Sequence, residues 1–305
     1  MRVRLSPEVA DAVGSGRGVV ALESTLLAHG LPAPRNREVA ARLEEVVRAH
    51  GAVPATVAVL DGIAVVGLTS VELDRICDPA RQVDKLSHRD LAVAAARGGD
   101  GATTVASTST LAHAAGVRVF ATGGIGGVHR GAAETYDVSA DLDVLAQTSI
   151  VVVCAGVKSI LDVTGTLEVL ESRSIPVLGY RTSRFPAFYR RDSGHDLTWR
   201  VETGAEVAAI AEMHWAGVGP SSAVVVANPV PAEAELDQAV HDAVLEAGLA
   251  RVAADGIRGK DVTPALLAYF HEHTDGRSLR ANEALVLANA AVAAQVAVAL
   301  APDQP

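Results

Sequence analysis

Only three of the 26 basic side chains are lysines, Lys85, Lys158 and Lys260; the rest are arginines. Arginine meets most needs for positive charge but holds its proton near neutrality, so it cannot act as an attacking amine. A lysine kept against that background is a candidate for chemistry. Lys158 follows the apolar run 149–154 after Ala155-Gly156-Val157. At the carboxyl end of a buried strand, where open α/β sheets bind ligands, desolvation favours the neutral, nucleophilic amine. A lysine that snorkels to the surface fits the same string. Lys85, in Val83-Asp84-Lys85-Leu86-Ser87-His88-Arg89, reads as a loop cation suited to a phosphate or carboxylate, or simply as a solvated charge. Glu23 closes the apolar run 19–22 and places a carboxyl group at another strand end.

Directly after the predicted strand 117–121 comes Thr122-Gly123-Gly124-Ile125-Gly126-Gly127-Val128-His129-Arg130-Gly131, five glycines in ten residues. Such a segment can turn sharply and bring backbone amides close to a ligand, although a plain turn cluster has the same composition. It departs from a dinucleotide fingerprint, because His129 stands where the third glycine belongs, and no GxxxxGK[ST] string occurs. Asp137 and Asp141 lie four apart around Ser139, an oxygen-rich spacing that suits Mg²⁺ or Mn²⁺. Asp141 also fits as the N-cap of a helix over 142–146. Cys154 sits inside an apolar strand and reads as core. The scattered histidines at 50, 113, 195, 214, 241, 271 and 273 show no metal-binding spacing.

The elements that must position these groups alternate. Segments of strand length and mostly apolar composition at 19–22, 117–121, 150–154, 175–178 and 223–227 are separated by helical patterns, including 161–172, 206–215, 233–254, 264–273 after an Asp261/Thr263 start, and 279–300. Residues 55–60 and 63–68 around Asp61-Gly62 predict a hairpin, Ser6-Pro7 a helix start and Thr69-Ser70-Val71-Glu72 a capping box. This order predicts a three-layer α/β/α protein with a mixed, largely parallel sheet, one domain over residues 1–305. Residues 182–203 form the one long irregular stretch, read as a lid, a subunit contact or a surface excursion. The uncharged stretch 284–301, rich in alanine, reads as a buried helix.

Composition narrows the setting. A hydrophobic content of 49 % excludes disorder, and a net charge of −10 makes nucleic acid a poor partner. Two isolated cysteines exclude a disulfide scaffold, and the first eighteen residues lack the apolar core of a signal peptide, so a cytoplasmic protein away from membranes is expected.

Taken together, Ala21-Leu22-Glu23-Ser24-Thr25, Ala28-His29-Gly30, Lys85, Gly101 to Val105, Val119 to Gly131, Ser139-Ala140-Asp141 and Val153 to Lys158 resemble the pseudouridine-5′-phosphate glycosidase family, also known as indigoidine synthase A-like proteins. The resemblance runs from about Val19 to the last helix. It implies reversible conversion of pseudouridine 5′-phosphate and water to uracil and ribose 5-phosphate. It also implies a homotrimeric α/β/α enzyme using a divalent metal, commonly Mn²⁺. On this chain the proton donor falls on Glu23, the covalent lysine on Lys158 and the metal carboxylate on Asp137. Substrate contacts fall on Lys85, Val105, Ser139, Ala140 and Asp141, with Thr122, His129 and Asn282 on the base. Without the resemblance two other readings stand level with this one: a Schiff-base sugar-phosphate aldolase, which would share Lys158, and a nucleotide-binding regulator without turnover.

Overall fold

The structure of the protein, a computed structural model, describes residues 1–158, 160–217, 221–257, 259 and 262–302. Lys260 and Asp261 lie outside the described residues. Strand β1 (Val3–Leu5) leads into α1 (Pro7–Gly14), where the Ser6 hydroxyl accepts the Val9 N–H and Pro7 occupies a position that needs no amide hydrogen. β2 (Val19–Glu23), buried at every residue, is followed by α2 (Arg35–Ala49). β3 (Val53–Leu60) and β4 (Ile63–Val66) form the expected hairpin, with Asp61 and Gly62 at φ of 50° and 74°, as a primed two-residue turn requires. α3 (Ser70–Cys77) opens on the expected capping box of Thr69 and Glu72. Then come β5 (Asp84–Leu86), α4 (Leu91–Arg97), β6 (Gly101–Thr103), α5 (Val105–Ala114), β7 (Val119–Ala121), α6 (Ala132–Thr135), α7 (Ala140–Leu145) and β8 (Val151–Cys154). The remainder is α8 (Val163–Ser172), β9 (Val177–Tyr180), β10 (Trp199–Val201), α9 (Gly204–Ala216), β11 (Val224–Ala227), α10 (Gln238–Ala254), α11 (Val262–His273) and α12 (Arg277–Leu300).

The strands make one mixed, mostly parallel sheet in the order β1-β4-β3-β2-β7-β8-β11-β9-β10. Helices cover both faces. Among the described residues only β3–β4 and β3–β6 run antiparallel. β2 ends at Glu23, opposite Val57, and from Ala58 onward β6 takes its place beside β3. The handover is sealed by the Ser24 hydroxyl, which donates to the Val57 carbonyl at 2.6 Å and accepts the Thr103 N–H at 2.9 Å. Glu23 therefore leaves the sheet at a gap between two strands, with its backbone fixed on either side.

The uncharged C-terminal stretch is α12, laid against β2, β7, β8, α2 and α9. Its length and hydropathy would allow a bilayer crossing, but 56 % of its most apolar stretch is buried inside the protein. Each valine or leucine so buried contributes roughly 1.5–3 kcal/mol, which favours this placement over solvent.

Several expectations are corrected. Lys85 belongs to a strand, not a loop: β5 pairs in parallel with β6, Lys85 opposite Ala102. The strand expected at 175–178 begins at Val177, because Pro176 has no N–H to give; its carbonyl instead accepts the Val225 N–H at 2.9 Å. The helix expected over 233–254 is broken: a 3₁₀ turn (Ala232–Ala234) precedes buried Leu236, and α10 starts afresh with the Asp237 side chain accepting the Val240 N–H. Residues 182–203 are no plain surface excursion, since Phe185, Phe188 and Tyr189 are buried in the core.

Candidate active site

Two loops at the carboxyl ends of adjacent strands build the floor of the site. The segments after β7 and β8 keep the parallel pairing of those strands: the Ala155 N–H donates to the Gly123 carbonyl at 2.9 Å, the Ile125 N–H to Gly156 at 3.1 Å and the Lys158 N–H to Ile125 at 3.3 Å. Lys158 is thus held by its backbone at the edge of the cavity. Gly156, at φ +79°, is required there, since a Cβ would meet the Pro186 carbonyl oxygen at 2.0 Å.

The glycine decad is explained by space more than by turning. Gly123, Gly124, Gly126 and Gly127 have no left-handed φ; only Gly131 does, at +80°. A Cβ would strike the Phe188 ring at Gly124 (2.7 Å), the Ser139 hydroxyl at Gly126 (2.3 Å) and the Thr166 hydroxyl at Gly127 (2.2 Å). Asp141 is not the cap of α7. That role falls to Ser139, whose hydroxyl accepts the Asp141 N–H. The buried Asp141 carboxylate instead accepts the Ala106 N–H at 2.9 Å and the Gly126 N–H at 2.8 Å, tying the start of α5 to the glycine loop. Asp141→Asn would turn an NH₂ group against one of these donors and cost about 2 kcal/mol, read as a lower urea midpoint at unchanged m-value.

A cavity of about 400 Å³ opens above these loops. Of the expected site residues, Glu23, Lys85, His129, Asp137, Ser139, Ala140, Asp141, Lys158 and Asn282 all line it. Val105 and Thr122 do not. Val105 is buried as the first residue of α5, and its neighbour Thr104 faces the cavity. Thr122 lies behind Glu23 and donates its hydroxyl to that carboxyl group. Glu23 is 8 % exposed, and burial pushes its pKa up; Lys158, the Thr122 hydroxyl and Lys85 pull the other way, while Asp141 adds to the rise. Asn282, on α12, is buried, and its side-chain oxygen has no hydrogen-bond partner among the described residues. Cys154 is inert core: burial pushes its thiol up to about 12.

The sequence paired Asp137 with Asp141, but the Asp141 carboxylate is taken up by the Ala106 and Gly126 N–H groups, and the side chain found beside Asp137 is His129. The imidazole Nδ1 lies 3.7 Å from an Asp137 carboxylate oxygen, and burial lowers its pKa despite that neighbour, with Lys158 and Lys85 adding to the fall. A partly exposed carboxylate beside a neutral imidazole suits a hard divalent cation that keeps several waters. Among the described residues no group of three His, Cys, Asp or Glu side chains converges as a closed metal cage.

Sequence reasoning missed the apolar side of the cavity. Phe188, from the irregular segment, and Leu267 with Pro264 and Thr263, from α11, complete the wall opposite the strand ends. Nothing in their local spacing marks them; they arrive through tertiary packing. Arg89 and Ser87 also face the cavity, and here the basic character of the Lys85 segment was a usable signal.

A buried carboxyl group and a lysine face one cavity at the carboxyl ends of a largely parallel sheet, where α/β enzymes carry their active sites. The chain belongs to the family of indigoidine synthase A like proteins, whose model matches residues 8–299. It is 55 % identical over 303 residues to the pseudouridine-5′-phosphate glycosidase of Salinispora tropica, covering 99 % of this chain and 93 % of that one. The Hahella chejuensis protein of the same name is 50 % identical over 293 residues, 96 % of each chain. Among solved structures, the prealnumycin C-glycosynthase AlnA in complex with ribulose 5-phosphate superposes with a TM-score of 0.90 at 38 % identity, covering 99 % of this chain and 97 % of that one. An indigoidine synthase A-like protein from Thermotoga maritima gives 0.87 at 36 % identity, with 98 % and 96 % covered.

Proposed function

We propose that this chain is a pseudouridine-5′-phosphate glycosidase, interconverting pseudouridine 5′-phosphate and water with uracil and ribose 5-phosphate. The observation that carries the reading is the meeting of Glu23 and Lys158 in one cavity, in a chain half identical over almost its whole length to proteins of that name. The bond to be broken joins two carbons, so the leaving group must be protonated on carbon. Opening of the ribose ring breaks C1′–O4′, and O4′ takes up a proton. The Lys158 amine then bonds to C1′ and gives up a proton, balancing the one taken up by O4′ and restoring the nitrogen lone pair. As Glu23 delivers its proton to C5 of the uracil ring, the C1′–C5 bond breaks and the nitrogen lone pair forms the C1′=N iminium. Water hydrolyses that adduct to ribose 5-phosphate and frees the amine. Lys85 faces the sugar-phosphate end, and His129 and Asn282 face the base.

Asp137, with His129 beside it, would hold a divalent cation, Mn²⁺ or Mg²⁺; when bound it supplies positive charge and ordered waters for orienting the sugar phosphate. Dialysis against a chelator is expected to abolish uracil release, and added Mn²⁺ to restore it; Asp137→Asn should raise the metal concentration needed by about 10- to 100-fold. Homotrimeric assembly and a cytoplasmic location belong to the same reading, the first testable by light scattering on the purified protein. The reaction itself is tested by incubating the protein with pseudouridine 5′-phosphate and Mn²⁺ and measuring free uracil. A product set without uracil would favour the aldolase reading.

A further inference from the structure

Behind Glu23 runs a chain of buried polar side chains that the reaction above does not use. Asn289, on α12, is fully buried. Its side-chain NH₂ donates to the Thr122 carbonyl at 2.8 Å, and its side-chain oxygen accepts the Asn228 NH₂ at 2.9 Å. Asn228, the first residue past β11, is itself fixed by its N–H to the Cys154 carbonyl at 2.8 Å. Thr122 has its N–H bound to the Val153 carbonyl at 3.0 Å, its carbonyl to Asn289 and its hydroxyl to Glu23. Every polar group of Thr122 is therefore committed, and the Asn289 amide has one orientation only, a donor to one side and an acceptor to the other. Apolar side chains of similar volume would fill this place in the core, so packing alone gives no reason for two asparagines.

We propose that Asn289, backed by Asn228, is a positioning residue for the acid step: it holds the Thr122 main chain so that the Thr122 hydroxyl meets the Glu23 carboxyl group. The inference rests on the proposed cleavage reaction and deepens it. The other groups acting on that carboxyl are Lys158 past β8, Lys85 on β5 and Asp141 on α7. The Thr122 hydroxyl stabilises the ionised carboxylate. Loosening it raises the pKa of the acid and misdirects its proton.

The test is the pH dependence of uracil release by Asn289→Leu, Thr122→Val and the double variant. Asn289→Leu is expected to lower kcat about tenfold, the worth of one hydrogen bond, with KM changed less than about twofold. Its alkaline limb should move to higher pH by up to about one unit. Thr122→Val should show the same shift and the double variant no further one, while Thr122→Ser, which keeps the hydroxyl, should leave the alkaline limb where it is. If Asn289→Leu lacks a native near-ultraviolet dichroism spectrum, Asn228→Ala carries the test, with a smaller shift in the same direction. An unmoved pH profile, or rate losses that multiply in the double variant, overturns the positioning role. Wild-type protein that releases no uracil overturns the cleavage reaction as well, so the two failures are told apart.

Discussion

Replacing Lys158 with arginine is expected to reduce uracil release by roughly four orders of magnitude or more, because the guanidinium cannot shed a proton to form the C–N bond. The fold should survive. Lys158 is only partly buried, its backbone N–H is what anchors it to Ile125, and arginine leaves that bond in place. The measurement pairs kinetics with borohydride reduction in the presence of ribose 5-phosphate: the wild-type protein should gain one ribose-phosphate mass on the peptide containing Lys158, and Lys158→Arg none. Substantial residual activity in the arginine variant would remove the covalent step and leave the lysine as a charge in the cavity.

Glu23→Gln is expected to lower kcat by about 10²–10⁴-fold and to erase the alkaline limb of the profile, since glutamine has no proton to give. The same substitution should make the protein more stable at neutral pH. Burial holds the Glu23 pKa above its unfolded value. Between the ordinary carboxylate range and that raised pKa the native state binds more protons than the unfolded state, so wild-type stability falls as pH rises through this window. Above it the full cost of a buried carboxylate is present, moderated by Lys158 and the Thr122 hydroxyl. Thermal melts of the two proteins should diverge in favour of Glu23→Gln as pH rises and converge below the ordinary carboxylate range. Divergence in the opposite sense would mean that the lysine and hydroxyl outweigh burial.

What the sequence made legible was local. The hairpin turn at Asp61-Gly62, the Ser6-Pro7 start and the Thr69 capping box are decided by a few adjacent residues, and each stands as read. Lys158 and Glu23 were found because buried parallel strands are continuous apolar runs, and a charged residue at or just past their ends is conspicuous. Three-residue strands such as β1, β5, β6 and β10 carry no readable period, and they exist because a neighbouring strand offers hydrogen bonds. The loop reading of Lys85 failed for that reason. Asp141 looked like a cap because aspartate often is one; its carboxylate instead bridges Ala106 and Gly126, 35 and 15 residues away in sequence, and no local pattern records such partners. Phe188 stayed hidden, since an aromatic ring in an irregular segment has no partner until Tyr189 packs edge-on at 4.7 Å and the glycine loop receives it.

Three glycines of ordinary φ, Gly124, Gly126 and Gly127, carry a consequence for descent. Their smallness is set by the Phe188 ring, the Ser139 hydroxyl and the Thr166 hydroxyl rather than by their own backbone. Each glycine and its neighbour are therefore free to drift only as a pair: a lineage that trades Thr166 for a smaller side chain gains permission to acquire alanine at Gly127, and one that keeps the threonine does not. The decad would then be inherited as a set of couplings between distant segments, and its apparent rigidity as a motif would relax in step with the size of what leans on it.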